Sequence, residues 1–265
     1  MRIAALLLMA AACLKAATLL DQGYRQMYNL QFAEAHRSFA QYEQENPADP
    51  LGPVSDAAAY LFGEFDRLHI LQSELWTQDQ SFLNFRKPNA DPEIKRRFEE
   101  ALARAQRLAD EQFRRAPRDA NALFAASLRL GLHSNYLAMI EKKNMAALAE
   151  IKQSRIIAEE ALASNPSNYD AYISPGLENY LLSLKPAPVR WILHIGGAET
   201  DRQAGLEKLR LTAEKGHYLL PYARLLLAIA DVRAHAPEQA KEKLRWLAAQ
   251  FPANRLYREE LAKLN

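Results

Sequence analysis

The sequence predicts an all-α protein that is built from repeated helix pairs. Between its prolines the chain is rich in Ala, Leu, Glu, Arg and Gln, which are strong helix formers. β-branched residues are sparse, and only 9 of the 265 residues are glycine. One spacing of small residue, apolar residues and proline also recurs four times along the chain. Together these observations favour helices over strands throughout.

The repeated spacing starts with a small residue, continues with apolar residues four and seven positions later, and ends with a proline five positions further on. The four copies are Ala35, Phe39, Tyr42 and Pro47; Ala105, Ala109, Gln112 and Pro117; Ser154, Ala158, Ala161 and Pro166; and Ala240, Leu244, Leu247 and Pro252. Steps of four and three keep these side chains on one face of a helix. Because a proline beyond the last turn cannot continue a helix, each copy predicts a helix end.

An Asp or Asn follows each of these prolines after one intervening residue. These four residues are Asp49, Asp119, Asn168 and Asn254. Their short side chains carry oxygens that accept hydrogen bonds from the free N–H groups at a helix start. Each copy therefore predicts a helix end, a short turn and the start of the next helix.

This pattern resembles the second helix and the inter-repeat turn of the tetratricopeptide repeat (TPR) family. Gly23 lies twelve residues before Ala35, where the family has a small residue that allows close helix packing, and Gly176 is a similar residue in a later helix. Phe32 lies three residues before Ala35, where the family often has an aromatic residue. The chain departs from the family at Gln112, lacks the tryptophan of the first helix, and spaces its prolines 70, 49 and 86 residues apart.

The resemblance implies a right-handed superhelical solenoid of about five TPR-like helix pairs. The predicted pairs are 18–30 with 32–46, 53–72 with 93–115, 120–136 with 144–164, 168–184 with 200–215, and 218–235 with 237–250. A last helix over 254–264 has a polar outer face, which suits the capping helix that solenoids require. Residues 18–265 are thus expected to form a single repeat domain with insertions at 73–92 and 185–199. The stretch 165–252, which includes Asp170, Tyr180 and the Gly196–Gly197 pair, is weakly similar to the inclusion-body-clearance branch of TPR proteins.

The first 17 residues have the layout of a secretory signal. Arg2 precedes an apolar run over 3–12, which is too short for a bilayer that needs roughly 20 residues. Two cleavage positions stay open, after Ala12 and after Ala17. A cut after Ala12 leaves Cys13, the only cysteine of the chain, as a candidate for lipid attachment. The sequence therefore predicts an exported protein, periplasmic or otherwise extracytoplasmic, that is either free or anchored to a membrane through Cys13.

The charges of the chain argue against nucleic acid as a partner. Lys and Arg total 34 against 32 Asp and Glu, and removing residues 1–17 with Arg2 and Lys15 leaves 32 against 32. Such a balance offers no basic field to a phosphate backbone. The sequence motifs of nucleotide-binding, hydrolase and metalloprotease sites are absent, and the six histidines never pair at metal-ligand spacing. We therefore expect no catalytic residues, no bound metal and no cofactor.

In the TPR family the first helices of the pairs line a concave surface that holds ligand peptides. Counted from the matched positions, this binding groove would carry eight large side chains. They are Tyr24, Met27, Tyr28, Phe62, Phe124, Leu128, Tyr180 and Tyr222. Aromatic residues would give a peptide large contact area at low entropic cost. The same spacing fits core residues equally well, because helical periodicity does not separate the two.

The two insertions hold further candidate contacts. Residues 73–92 contribute Trp76, Phe82 and Phe85, and residues 185–199 contribute Trp191 within an apolar run. Long loops often carry function, although small hydrophobic clusters are also common beneath them. The resemblance and these aromatic residues predict an extracytoplasmic adaptor or scaffold that binds a protein or peptide. A membrane-anchored helper that handles a lipid or an envelope polymer is the alternative.

Overall fold

The computed structural model describes residues 19–72, 76–78, 84–184 and 200–265. Within these ranges the chain is helical apart from turns and short connections, and no strand occurs in them. The all-α prediction is confirmed. None of the described helices is both long enough and apolar enough to cross a bilayer.

The helices follow one another along the chain with short turns between most of them. They are α1 (19–28), α2 (Phe32–Glu45), α3 (Leu51–Arg67), α4 (Pro92–Arg115), α5 (Ala120–Tyr136), α6 (Asn144–Ser164), α7 (Ile173–Ser183), α8 (Arg202–Lys215), α9 (Leu220–Arg233), α10 (Pro237–Gln250) and α11 (Arg255–Lys263). The bounds of α5, α6 and α10 coincide with the predicted ones. α3 differs most, because it begins before Pro53 and ends at Arg67 rather than at residue 72. A proline is tolerated there because the N–H groups of a first turn have no partner within the helix.

Side chains hold the helix starts that the sequence predicts, with one exception. Asp119 and Asn254 each accept a hydrogen bond from a backbone N–H of the following first turn, at 2.8 and 2.9 Å. Asp49 accepts one from the first N–H of α3, also at 2.9 Å. Asn168 makes no such cap, and the chain passes there into a 3-10 turn over Tyr169–Tyr172 before α7 begins. Proline followed by Asp or Asn therefore fixes three of the four helix starts.

α5 ends in a π-helical turn, Leu137–Glu141, which the sequence does not predict. Lys142 follows it with φ of 60°, in the left-handed region. The carboxylate of Glu141 lies 2.5 Å from the ammonium groups of Lys143 and of Lys95 on α4. The hydrogen bond from Lys143, and after it the one from Lys95, lowers the pKa of Glu141 to about 2. This carboxylate therefore joins the end of α5 to the start of α4.

The Glu141 ion pairs predict a pH window for stability. The pKa of Glu141 in the folded protein lies below its ordinary value of 4.5. The ion pairs therefore contribute fully to the free energy of unfolding above about pH 4.5, and this contribution is lost as the pH falls towards about 2. Urea unfolding of the wild type and of Glu141→Gln should therefore differ more at pH 7 than at pH 3. Glu160→Gln, which changes an exposed carboxyl on α6, is the control. An equal gap between wild type and Glu141→Gln at both pH values would contradict the assignment.

Each helix from α2 onward packs mainly on its neighbours in sequence, and α3 also packs on α5. One hydrophobic core extends from α1 to α9, and a second joins α9, α10 and α11. Gly23 shows how closely the first helices approach each other. A Cβ at this position would lie 2.3 Å from the Phe39 ring, so only glycine fits. The small residue expected here thus lets the Phe39 ring lie directly against the α1 backbone.

The first helix also contacts the C-terminal part of the chain. The Tyr24 ring stacks on Tyr218 with 4.8 Å between centroids, and the Tyr28 hydroxyl donates to the Tyr218 carbonyl at 2.9 Å. Asn254 Nδ2 donates to the Tyr28 carbonyl, also at 2.9 Å, across 226 residues of sequence. In an open solenoid each repeat contacts only its neighbours. Here α1 also contacts residues beside α9 and α11, which are distant from it in sequence.

Candidate binding cavity

An apolar cavity of about 130 Å³, called here the main cavity, lies between α3, α7, α9 and the C-terminal helix α11. Its lining includes Phe62, Leu177, Tyr180, Tyr222, Ile229 and Leu264. A smaller cavity of about 50 Å³ shares Phe62, Leu177 and Tyr222 with it and extends towards α1. Since a cavity of about 150 Å³ in another protein holds benzene, the main cavity has room for a group of roughly six carbon atoms.

Helical spacing directs the lining residues of α7 and α9 to the main cavity. Tyr222, Leu225 and Ile229 follow one another at steps of three and four, which places them on one face of α9. Leu177, Leu181 and Leu184 do the same along α7 with steps of four and three. The two apolar faces oppose each other across the cavity.

A buried carboxylate fixes the start of α9, and with it the position of Tyr222. Asp170 accepts hydrogen bonds from the backbone N–H groups of the three residues that precede α9, at 2.8, 2.8 and 3.1 Å. Gly216 makes this contact sterically possible, because a Cβ there would lie 2.6 Å from Asp170 Oδ1. Pro221 then occupies the first turn of α9, where a missing N–H is harmless.

The structure brings seven of the eight predicted groove residues to the two cavities. They are Tyr24, Met27, Tyr28, Phe62, Leu128, Tyr180 and Tyr222, whereas Phe124 lines neither cavity. Tyr24, Met27, Phe124 and Tyr180 are buried in the core, and the other four are half-buried. The sequence left groove and core open as alternatives, and these four residues are core. They do not form a surface that is open to water.

The insertion residues that the structure describes also pack inward. Trp76 is half-buried, lines the main cavity, and donates from its indole N–H to the Ile70 carbonyl at 2.7 Å. Phe85 is half-buried, with the Lys142 ammonium 4.2 Å from its ring centroid. Phe82, Trp191 and Cys13 lie outside the described residues, as does the predicted signal segment 1–17.

A few polar groups stand in the otherwise apolar wall of the main cavity. Burial raises the pKa of Tyr222 to about 12, against the opposing effect of a hydrogen bond with Asn135. Burial likewise raises the pKa of Tyr180, while the positive charge of Arg233 opposes it. Both phenols are therefore protonated at neutral pH and can donate a hydrogen bond. Arg233 also lines the cavity, and it donates to the Trp76 carbonyl at 3.1 Å. The arrangement can hold an apolar group and offer donors to an oxygen atom on it.

Among the described residues, three histidines form pairs with carboxylates, and none of these pairs lines either cavity. The pairs are His36 with Asp56 at 2.5 Å, His133 with Glu150 at 2.7 Å, and His217 with Asp21 at 2.7 Å. Each pair joins residues that are distant in sequence, so spacing along the chain could not reveal it. In the described part of the chain, no group of three or more His, Cys, Asp or Glu side chains is placed to hold a metal ion.

Sequence reasoning missed the contribution of the C-terminal helix to the cavity. α11 was expected to cap the array with a polar outer face, yet Glu260, Lys263 and Leu264 all line the main cavity. Lys263 pairs with Glu260 at 2.8 Å. The apolar residues Leu261 and Leu264 were the available signal, because they lie three positions apart on one helix face.

No family model matches the chain, and searches of curated proteins and of solved structures found no match. Membership of the TPR family therefore stays a prediction from the repeated spacing. The chemistry of the two cavities is inferred from their own residues.

Proposed function

We propose that the protein is a non-catalytic binding protein, built from TPR-like helix pairs, that takes an apolar side chain of a protein partner into the main cavity. The observation that carries this proposal is the cavity itself, which is apolar and of the size of one large side chain. Most of its lining residues lie on odd-numbered helices, where the TPR resemblance implies that ligands bind.

The burial of several predicted groove residues favours insertion of a single side chain over an extended peptide. A peptide lying along a concave groove needs exposed contact residues, whereas Tyr24, Met27 and Tyr180 are buried. The exposed apolar residue beside the cavity is Leu181, with 36% of its surface accessible. Half-buried Leu184 and Leu264 continue this apolar rim. A partner can therefore reach the cavity at the end of α7 and at α11.

Filling the main cavity would contribute substantially to binding. Burying one Leu, Phe or Met side chain is worth about 1.5–3 kcal/mol. The walls of an empty cavity also lack van der Waals partners, which an inserted side chain restores. An anchor of this kind is typical of binding hot spots, where truncation costs about 2 kcal/mol or more.

Site-specific photo-crosslinking tests the proposed function. We expect a benzophenone amino acid at Leu181, beside the cavity, to capture a partner protein from cell extract. The same amino acid at Met145, which is 80% exposed and lines neither cavity, is the matched control. Ile229→Phe, which enlarges a cavity-lining side chain, should abolish capture at Leu181 and leave the melting temperature nearly unchanged. Equal capture at both positions, or capture that survives Ile229→Phe, would show that the cavity is not the binding site.

A further inference from the structure

The Tyr180 hydroxyl in the main cavity is a polar group that stabilises no contact in the described part of the fold. Tyr180 is 2% exposed and lines the cavity, and its hydroxyl has no hydrogen-bond partner among the described residues. A buried hydroxyl without a partner is costly, and nearly all such groups in proteins are satisfied by protein, water or ligand. The hydroxyl is therefore available as a donor to a bound molecule.

The charges around this hydroxyl favour an anionic acceptor. Burial raises the pKa of Tyr180, and the positive charges of Arg233 and Arg202 oppose this rise. The negative charge of Asp231 raises the pKa of Tyr180, but the Asp231 carboxylate pairs with the Lys243 ammonium at 2.7 Å. A carboxylate near Tyr180 would thus accept a hydrogen bond and face the Arg233 guanidinium, which also lines the main cavity. Hydrogen bonds to a charged acceptor are stronger than those between neutral groups.

The remaining walls of the cavity are suited to an alkyl chain. Leu177, Leu226 and Ile229 line the main cavity, and the smaller cavity, which shares Phe62 and Leu177 with it, is also lined by Met27. The two volumes, about 130 and 50 Å³, hold a chain of roughly six to eight carbon atoms. An apolar side chain of a protein would fill part of this space and leave the Tyr180 hydroxyl unsatisfied.

We propose that the main cavity also binds a medium-chain fatty acid anion, whose alkyl chain lies along the two cavities and whose carboxylate accepts a hydrogen bond from the Tyr180 hydroxyl. The proposal rests on the same cavity as the proposed function. The anion and the partner side chain would occupy the same space, so the anion would act as a competitor that displaces the partner.

Titration calorimetry with octanoate tests the proposal on the full chain. We expect octanoate to bind the wild type with a stoichiometry of one, and Tyr180→Phe to bind it about tenfold more weakly or worse. Tyr169→Phe, which removes a phenol that lines neither cavity, should bind octanoate like the wild type. Without ligand, Tyr180→Phe should melt at the wild-type temperature or above it, because it removes a hydroxyl that has no partner. Ile229→Phe should abolish octanoate binding.

Three results would overturn the fatty acid proposal. They are no saturable octanoate binding to the wild type, equal affinity of the wild type and Tyr180→Phe, and a marked loss of thermal stability in Tyr180→Phe. If octanoate fails to bind while the benzophenone at Leu181 still captures a protein, the proposed function stands alone. If octanoate binds and no protein is captured, the proposed function fails and the fatty acid site stands.

Discussion

Replacing Arg155 with alanine is expected to lower the free energy of unfolding by about 3–5 kcal/mol. The Glu178 side chain is fully buried at 0% exposure, and Arg155 Nε donates to its carboxylate at 2.7 Å between α6 and α7. Arg155 also donates to Glu159 at 2.8 Å. Without the guanidinium, the Glu178 carboxylate keeps its desolvation cost and loses the adjacent positive charge.

Urea unfolding monitored by circular dichroism measures this effect. The matched control is Arg97→Ala, which breaks an exposed pair with Glu93 on α4 and should change stability far less, because water screens exposed pairs. The double variant Arg155→Met with Glu178→Leu should recover most of the loss, since it removes both buried charges together. If Arg155→Ala costs no more than Arg97→Ala, the buried pair does not stabilise the α6–α7 contact.

The second large effect is expected at Phe39. Phe39→Ala should lower the free energy of unfolding by about 3–5 kcal/mol, because the ring is completely buried at 0% exposure. The ring meets Tyr24 edge-on with 5.5 Å between centroids and lies against the α1 backbone at Gly23. Its removal would leave a cavity between α1 and α2 that neither helix backbone can fill.

Thermal unfolding of Phe39→Ala and Phe85→Ala separates a core contact from a peripheral one. Phe85 is half-buried, so its truncation should lower the melting temperature clearly less. Equal shifts in the two variants would contradict the assignment of Phe39 to the centre of the contact between α1 and α2.

The sequence predicted the helices well because their signals are local. For α6 and α10, apolar steps of four and three and a following proline fall within one helix and its turn, and the predicted bounds are the observed ones. Local spacing did not predict the places where the backbone leaves the α-helical conformation for a tighter or wider turn. The π-helical turn at Leu137–Glu141 and the 3-10 turn at Tyr169–Tyr172 have no such signature in spacing or composition.

The sequence predicted which helix faces carry the residues of the candidate site, but it did not predict that these faces enclose cavities. Seven of the eight residues chosen from the repeated spacing line the two cavities, because periodicity decides which face of a helix points inward. Whether that face is open to water depends on contacts such as Tyr28 with Tyr218 and Asn29 with Ala253. These contacts join residues 190 and 224 positions apart, and no local pattern encodes them.

The contacts of α1 with residues beside α9 and α11 set an order for folding during synthesis. Tyr24 and Tyr28 leave the ribosome before Tyr218 and Asn254, which they contact in the folded protein, have been made. At about 5–20 residues per second, the 226 residues between Tyr28 and Asn254 take roughly ten to fifty seconds to add. For that time α1 lacks the contacts with Tyr218 and Asn254 that cover Tyr24 and Tyr28 in the folded protein. The packing of α1 is thus completed only after Asn254 has emerged.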